Sequence, residues 1–257
     1  MNRFNMGAAA LCIASASPAA AADLSVSVGR DYSEGDYGGA SDTTLNLTSL
    51  SVRAGFDRGS ISLSSGYVDL SGEAEVITLG PGGGIEITPA GSGDVSGFSD
   101  LVISGSYLAR QQSATRPGVR VFGAVKLPTA DPDEGLGSGG TDVSASVEVF
   151  QSFGAVTPYA YAGARLRGEG DFVETRDAFQ GGLGLQSAVA ENWNWVASYD
   201  YRGAGTEGGD EAHELTTFLS WSARERLTFS IYAYTGFTDA SPDFGAGLVL
   251  SRSFGRR

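Results

Sequence analysis

Alternating apolar and polar residues dominate the chain after residue 23. In residues 141–150, TDVSASVEVF, every second side chain is apolar: Val143, Ala145, Val147 and Val149. The positions between them are acidic or carry a hydroxyl group. Successive side chains of a strand point to opposite faces, so this period of two predicts strands with one apolar and one polar face.

The same alternation predicts twelve strands. They cover approximately residues 24–32, 44–57, 60–70, 97–111, 117–128, 141–153, 157–168, 176–189, 192–203, 213–224, 226–238 and 243–254. Most of them are 11 to 15 residues long, whereas a typical strand has about five or six residues and a tilted strand that crosses a bilayer needs about 9–11. These lengths favour a transmembrane sheet.

Short and long links alternate between the predicted strands. The links after the second, fourth, sixth, eighth and tenth strands are short and contain DRG, QSATR, GAV, AEN and RER. Longer links rich in Gly and Asp follow most odd-numbered strands, as at residues 71–96, 129–140 and 204–212. Short periplasmic turns, longer outer loops and an even strand number are typical of outer-membrane barrels. The pattern therefore predicts an all-β, transmembrane up-and-down antiparallel β-barrel of about 12 strands over residues 23–257.

A soluble β-sandwich also has alternating strands and many turns. In this chain, however, Ser, Thr, Gly, Tyr and charged residues fill the polar face of nearly every strand. Burying such a face without water would cost about 1–3 kcal/mol for each unpaired polar group. A water-filled lumen avoids that cost, so the pattern favours the barrel.

The first 22 residues have the features of a secretory signal peptide. Arg3 precedes an apolar stretch from Met6 to Ala16, and small residues lie just before Asp23. This arrangement predicts export and cleavage after residue 22, which would remove Cys12, the one cysteine of the sequence. No later run of about 18 apolar residues exists to form a transmembrane helix. The predicted location is the outer membrane of a Gram-negative bacterium.

Charge and aromatic residues agree with this orientation. The net charge is −13 at pH 7, most acidic residues fall in the long links, and the short turns carry Arg58, Arg116, Arg224 and Arg226. Nucleic acid is excluded as a partner, because phosphate binding needs clustered Lys and Arg. The last strand ends at Phe254 and resembles the aromatic-ended signal for barrel assembly. The expected partners are outer-membrane lipid, a small-molecule solute and the barrel-assembly machinery.

Residues 126–144, KLPTADPDEGLGSGGTDVS, include the glycine pattern G-x-G-x-x-G and four acidic residues. A dinucleotide site needs a helix after the glycines, but Gly140 leads into a predicted strand. Asp131, Asp133 and Asp142 match positions 1, 3 and 12 of a calcium-binding loop, although the central glycine and the closing glutamate are missing. Loose bridging of a divalent ion to anionic surface lipid remains an alternative. We predict no cofactor and no caged metal site.

Strand parity places thirteen charged residues on the inward face. These candidate pore-lining residues are Arg53, Asp100, Arg110, Arg120, Lys126, Asp142, Glu148, Arg165, Arg167, Asp200, Arg202, Glu214 and Arg224. Rows of charged side chains set selectivity in channels. The alternative is that the charges pair across neighbouring strands and hold the wall together, as Lys126 with Asp142 at the outer end of adjacent strands would.

Residues 97–154 resemble an outer-membrane family named for the MetA pathway of phenol degradation, often called a transporter. The resemblance is carried by Gly97 with Asp100, by Lys126, Leu127, Pro128 and Thr129, and by Gly139, Thr141, Asp142 and Val143. Ser99 and Ala130 stand where the family usually has glycine. The resemblance implies a barrel that takes up aromatic or other hydrophobic compounds.

The sequence therefore predicts a channel or transporter in which small molecules diffuse through a narrow charged lumen. A structural or surface-interaction barrel with a closed lumen is the alternative, and an outer-membrane hydrolase is a third class. Hydrolysis by a serine would need an adjacent base, whereas His213, the one histidine, has lipid-facing parity. We therefore predict no catalytic residue. In the longest link, EVITL and IEIT flank GPGGG and predict a small hairpin, which would either extend the wall or constrict the lumen.

Overall fold

The computed structural model describes residues 23–37, 39, 41–72, 76–79, 85–88, 93–170, 174–224 and 226–255. The predicted signal peptide, residues 1–22, lies outside these ranges. Among the described residues, no helix has the length and apolar character that a membrane span requires.

The described residues form fifteen strands and one short 3-10 helix, Pro132–Glu134. The strands are β1 Asp23–Gly35, β2 Thr43–Phe56, β3 Gly59–Ser71, β4 Val76–Leu79, β5 Ile85–Thr88, β6 Val95–Phe98, β7 Leu101–Arg110, β8 Gly118–Leu127, β9 Asp142–Phe150, β10 Val156–Leu166, β11 Ala178–Ala190, β12 Trp193–Arg202, β13 Ala212–Arg224, β14 Leu227–Gly236 and β15 Phe244–Phe254.

Antiparallel pairing of sequential strands closes the sheet into a barrel. The first and last strands pair from Leu24–Phe254 to Glu34–Phe244, which leaves no open edge between β1 and β15. Both β6 and β7 pair with β3, at successive positions. They therefore count as one barrel strand, interrupted at Ser99, whose backbone N–H donates to the carbonyl of Gly66 over 2.8 Å.

The result is a closed antiparallel barrel of twelve strands, as the alternation predicted. Every predicted strand boundary lies within three residues of the observed one. The predicted hairpin in the longest link is also present, since β4 pairs with β5 in a separate two-stranded sheet.

Burial alternates along the strands and defines the two faces of the wall. In β9 the polar residues Asp142, Ser144, Ser146 and Glu148 are buried, whereas the alternate valines are 43–48% exposed. The buried face of a closed barrel is its interior, so the apolar side chains point outward. Soluble monomers rarely expose a contiguous apolar surface of this kind, and hydrocarbon is the solvent that it fits.

Aromatic rings lie on the outward face near both ends of the barrel. At the end with the short turns, Trp221 stacks between Trp193 and Phe229, with 5.9 Å between ring centroids on each side. At the other end, Tyr67 meets Phe98 edge-on at 5.5 Å. Such rings mark the two interfaces between hydrocarbon and water.

Leu183→Arg tests the outward face. Leu183 lies near the middle of β11 and is 60% exposed, so the substitution would place a charge in hydrocarbon. We expect a loss of about 2–4 kcal/mol in the free energy of unfolding from lipid vesicles, measured by reversible urea titration. Leu183→Val is the matched control and should stay within about 0.5 kcal/mol of the parent. Equal stability of the arginine variant would place Leu183 in water.

Candidate functional site

The interior has two chemically different walls. In the half nearer the short turns, serine side chains line the inward faces of β1, β2, β3 and β7, and many of them hydrogen-bond to one another across strands. The Oγ atoms of Ser60 and Ser106 lie 3.1 Å apart, and those of Ser62 and Ser104 lie 2.7 Å apart. This half of the wall is therefore a surface of hydroxyl groups, whereas Leu45, Leu47, Val68 and Leu70 line the outer half of β2 and β3.

Tyrosines dominate the opposite wall, and each lies across a glycine of the next strand. Tyr232 of β14 donates its hydroxyl to Oδ2 of Asp31 in β1 over 2.6 Å, although β15 lies between them. The ring crosses β15 at Gly247, where a Cβ would overlap it. In the same way, Tyr161 of β10 reaches Asp200 of β12 over 2.7 Å. Glycine is required at these crossings because the rings lie along the wall.

Asp31 is a site residue that the sequence reasoning missed. It is 5% exposed and also accepts a hydrogen bond from Tyr234 over 2.8 Å. Asp31 lies an even number of residues from the inward-facing Ser25 and Ser27, so the alternation of β1 could have predicted its inward position. The two tyrosines join β14 to β1 across the seam where the barrel closes.

Lys126 is the centre of a buried charge cluster. Its Nζ lies 3.1 Å from Oδ2 of Asp100 and 3.4 Å from Oδ2 of Asp142, so the pairing with Asp142 that the sequence offered as an alternative is present. Nζ also donates to Oγ of Ser138 over 2.7 Å. Oδ1 of Asp100 accepts the backbone N–H groups of Thr129 and Ala130, each over 3.0 Å. These contacts hold the loop 128–141 at the mouth of the barrel.

The second half of the loop 128–141 is tucked inward: residues 136–138 and 140 are buried, whereas residues 128, 129, 131, 133 and 134 are exposed. Leu136 is 1% exposed and packs in an apolar cluster on β2 and β3 that includes Leu45 and Leu70. Gly135 and Gly137 take left-handed conformations with φ of 72° and 83°, which explains two of the three glycines in the G-x-G-x-x-G pattern. The pattern therefore belongs to a folded connection between β8 and β9.

The acidic residues of this loop also have local roles. Asp131 caps the short 3-10 helix by accepting the backbone N–H of Asp133 over 3.0 Å. Oδ1 of Asp142 accepts the backbone N–H of Gly168 over 3.3 Å. Within the described residues, no group of three or more acidic, histidine or cysteine side chains could hold a metal ion.

Arg120 and Glu148 form a second charged site on neighbouring strands. Nη1 of Arg120 donates to Oε1 of Glu148 over 2.7 Å, and both side chains are buried. The guanidinium also lies 5.0 Å from the ring centroid of Phe150 and 5.9 Å from that of Phe122. Ring faces therefore flank this ion pair.

A third group of charges lies on β10, β12 and β13. Arg202 is paired with Glu214, and their side chains keep 14% and 13% exposure. Arg165 is buried at 4% exposure. Arg167, just beyond β10, lies 3.7 Å from Oδ2 of Asp142. Burial and the charge of Arg202 lower the pKa of the Arg167 guanidinium to about 10, which leaves it charged at neutral pH.

The other predicted pore-lining residues lie apart from these clusters. Arg53 is half-buried on β2, opposite Ser25 and Ser62. Arg110 is exposed, and its Nε donates to the carbonyl of Pro117 over 3.0 Å. The register of the β7–β8 pairing shifts between Leu108 and Arg110. Such a bulge adds one residue to the strand, so Arg110 faces outward and the predicted inward position was wrong. The side chain of Arg224, at the end of β13, lies outside the described part of the chain.

The described residues leave the interior incompletely filled. Several inward-facing side chains are half-buried rather than buried, namely Ser49, Ser51, Arg53, Ser62, Ser64 and Ser104. Because the barrel is closed, their accessible surface faces space that water can enter inside it. This space lies beside the serine wall.

His213 takes part in a polar cluster on the outward face. Its Nδ1 contacts the hydroxyl of Tyr199, and its Nε2 lies 3.3 Å from Oε1 of Glu211. Oγ of Ser241 lies 3.1 Å from the backbone N of His213. Tyrosine and glutamate are thus the partners of the imidazole, and this arrangement is not that of a serine hydrolase.

Comparison with protein-family models and with curated proteins gives no match. Among solved structures, an outer membrane channel from Pseudomonas putida F1 is 14% identical, with 93% of this chain and 97% of that chain covered and a TM-score of 0.69. The KdgM porin is 9% identical, with 90% and 99% covered and a TM-score of 0.55. The NanC porin is 9% identical, with 89% and 98% covered and a TM-score of 0.55.

At these identities the likeness is one of fold. The chain has the fold of bacterial outer-membrane β-barrels, and its exposed apolar face agrees with a location in the outer membrane. The barrel that the resemblance to the phenol-degradation family implied is confirmed, whereas no family model supports the resemblance itself.

Gly247→Ala tests the crossing of Tyr232 over β15. An added Cβ would overlap the ring and force it off the wall, at a cost of about 1–3 kcal/mol in the free energy of unfolding. Gly123→Ala is the control, because its Cβ would lie 3.8 Å from the nearest atom, the carbonyl oxygen of Ser144. Urea unfolding in lipid vesicles measures both. Equal stability of the two variants would contradict the proposed ring position.

Proposed function

We propose that this chain forms a passive outer-membrane channel for small molecules. The observation that supports this most is the accessible polar surface inside a closed barrel, on the serine wall and at Arg53. A purely structural barrel has no need of such space, because a filled interior would pack more tightly. Solutes would diffuse between the hydroxyl wall and the wall of tyrosines and charges.

The number of strands limits the size of the solute. A twelve-stranded barrel lies between small barrels filled by side chains and wide porins. The loop 128–141 narrows the mouth further, because Leu136 occupies interior space beside β2 and β3. Small single molecules fit such a passage better than polymers do.

For the solute class we propose aromatic or other hydrophobic ring compounds. Tyr161, Tyr234 and Phe150 are half-buried, and rings that lie along a wall present their faces to the lumen. The hydroxyls of Tyr161 and Tyr234 are bound to carboxylates of the wall. Their exposed surface is therefore mainly apolar, and offset stacking with a planar ring is favourable. The resemblance of residues 97–154 to the phenol-degradation family agrees with this class.

The inward charges would make the passage selective. In this proposal, the lining consists of the predicted charged residues on the inward face, together with Asp31 and without Arg110. Arg165 and Arg202 lie on the two strands that flank β11, opposite Ala178 and Gln180, and Arg167 lies two residues beyond Arg165. A group of guanidinium charges beside a narrow path attracts anions.

A structural barrel with a closed lumen is the competing function. The specific observation in its favour is the anchoring of the loop 128–141 by Lys126 and Leu136. In this alternative, the loop blocks the mouth and no continuous path crosses the barrel.

Conductance in planar lipid bilayers tests the proposed channel and the role of its arginines. The purified barrel should insert with discrete conductance steps, and a salt gradient should give a reversal potential that reports its ion preference. Arg165→Glu with Arg167→Glu should shift that potential towards cation preference, because two positive charges beside the path become negative. Aromatic acids should block the current more strongly than neutral sugars do.

Arg176→Glu is the matched control, since Arg176 is exposed in the loop after β10. Heat-dependent gel mobility would verify that each variant is folded. Insertion without conductance would favour the closed-lumen barrel. Conductance with an unchanged reversal potential in the double variant would show that these arginines do not line the path.

A further inference from the structure

Among the described residues, three arginines lie on or against the outward face at the short-turn end of the barrel, which is the periplasmic end in this fold, while Arg116 and Arg226 lie exposed in the turns beyond it. Arg252 alternates with the inward serines of β15 and is exposed. Arg58, in the turn after β2, has its guanidinium 5.4 Å from the ring centroid of Tyr107, an outward residue that is 46% exposed. Arg110 is exposed at the end of β7. We call Arg58, Arg110 and Arg252 the periplasmic arginines.

Their partners differ from those of the interior arginines. Inside the barrel, Arg120, Arg167 and Arg202 each lie within ion-pair distance of a carboxylate. No carboxylate of the described residues forms such a pair with a periplasmic arginine. Instead, Arg58 and Arg252 lie over rings, the latter 5.2 Å from the centroid of Phe254, and Arg58 and Arg110 donate to backbone carbonyls.

Their height on the barrel is that of a membrane interface. Phe254 and Tyr107 lie at the same end as the stack of Trp193, Trp221 and Phe229, and such aromatic rings are enriched where hydrocarbon meets headgroups. Arginine side chains at this level bury their stems in apolar surroundings and place the guanidinium among the headgroups. The groups available there to balance their charge are lipid phosphates.

We propose that the periplasmic arginines bind the headgroups of anionic phospholipids in the periplasmic leaflet. The planar guanidinium matches two phosphate oxygens, and each basic side chain near an anionic membrane surface adds to the attraction. The outer loops carry most of the acidic residues, so the ends of the barrel differ in charge. Selective lipid binding at one end would give the barrel a preferred orientation and depth. This inference depends on the barrel fold and not on the proposed channel.

Spin-label spectroscopy of lipids around the reconstituted barrel tests the proposal. The motionally restricted fraction is compared for spin-labelled phosphatidylglycerol and spin-labelled phosphatidylcholine in bilayers of phosphatidylcholine. At low salt, the parent barrel should prefer phosphatidylglycerol by about fivefold. Substitution of all three periplasmic arginines by Gln should lower the preference to about half of the parental value or less, and about 0.5 M salt should weaken it in the parent.

Arg30→Gln is the matched control. Arg30 is also an exposed, outward arginine, but it lies in the outer half of β1 and donates to Oγ1 of Thr48 over 2.6 Å and to Oδ1 of Asn46 over 3.0 Å. Its substitution should preserve the preference. A triple variant with the parental preference, or an equal loss in Arg30→Gln, would overturn the proposal. If the triple variant fails to fold, Arg252→Gln alone should lower the preference for phosphatidylglycerol. An unchanged preference in that variant would also overturn the proposal.

Discussion

The structure depends on the pairing of β15 with β1. In hydrocarbon each unpaired backbone N–H or C=O group costs several kcal/mol, so a sheet can span a membrane only when it has no free edge. Closure of the seam from Leu24–Phe254 to Glu34–Phe244 satisfies that condition. Closure also fixes which side chains point inward, because one face of every strand then lies towards lipid and the other towards the lumen.

The interior follows from that closure. Charged groups that face inward must be paired or wetted, and the described residues show both solutions: Lys126 is buried between Asp100 and Asp142, whereas Arg202 and Glu214 keep partial exposure. Tyrosines find their hydroxyl partners by crossing a neighbouring strand at glycine, as Tyr232 does to reach Asp31. Space therefore remains beside the serine wall, and the proposed transport function depends on it.

The strands and their two faces could be predicted because alternation is a local property of the sequence. The alternation predicted the wrong face where the backbone departs from regular pleating. A register shift in the β7–β8 pairing turns Arg110 away from the interior. The inward position of Leu136 in the loop 128–141 could not be predicted, because its contacts are with residues of β2 and β3 far away in sequence. The partners of Asp31 likewise depend on which strands meet at the seam.

Water should lie inside the wall and hydrocarbon outside it, and two adjacent residues of β3 test this most directly. Ser64 faces inward and is half-buried, whereas Leu63 faces outward and is 44% exposed. Each is replaced by cysteine in a background without Cys12, and the barrel in lipid vesicles is treated with a charged, membrane-impermeant maleimide. The Ser64→Cys variant should react and the Leu63→Cys variant should not; equal or reversed labelling would contradict the account.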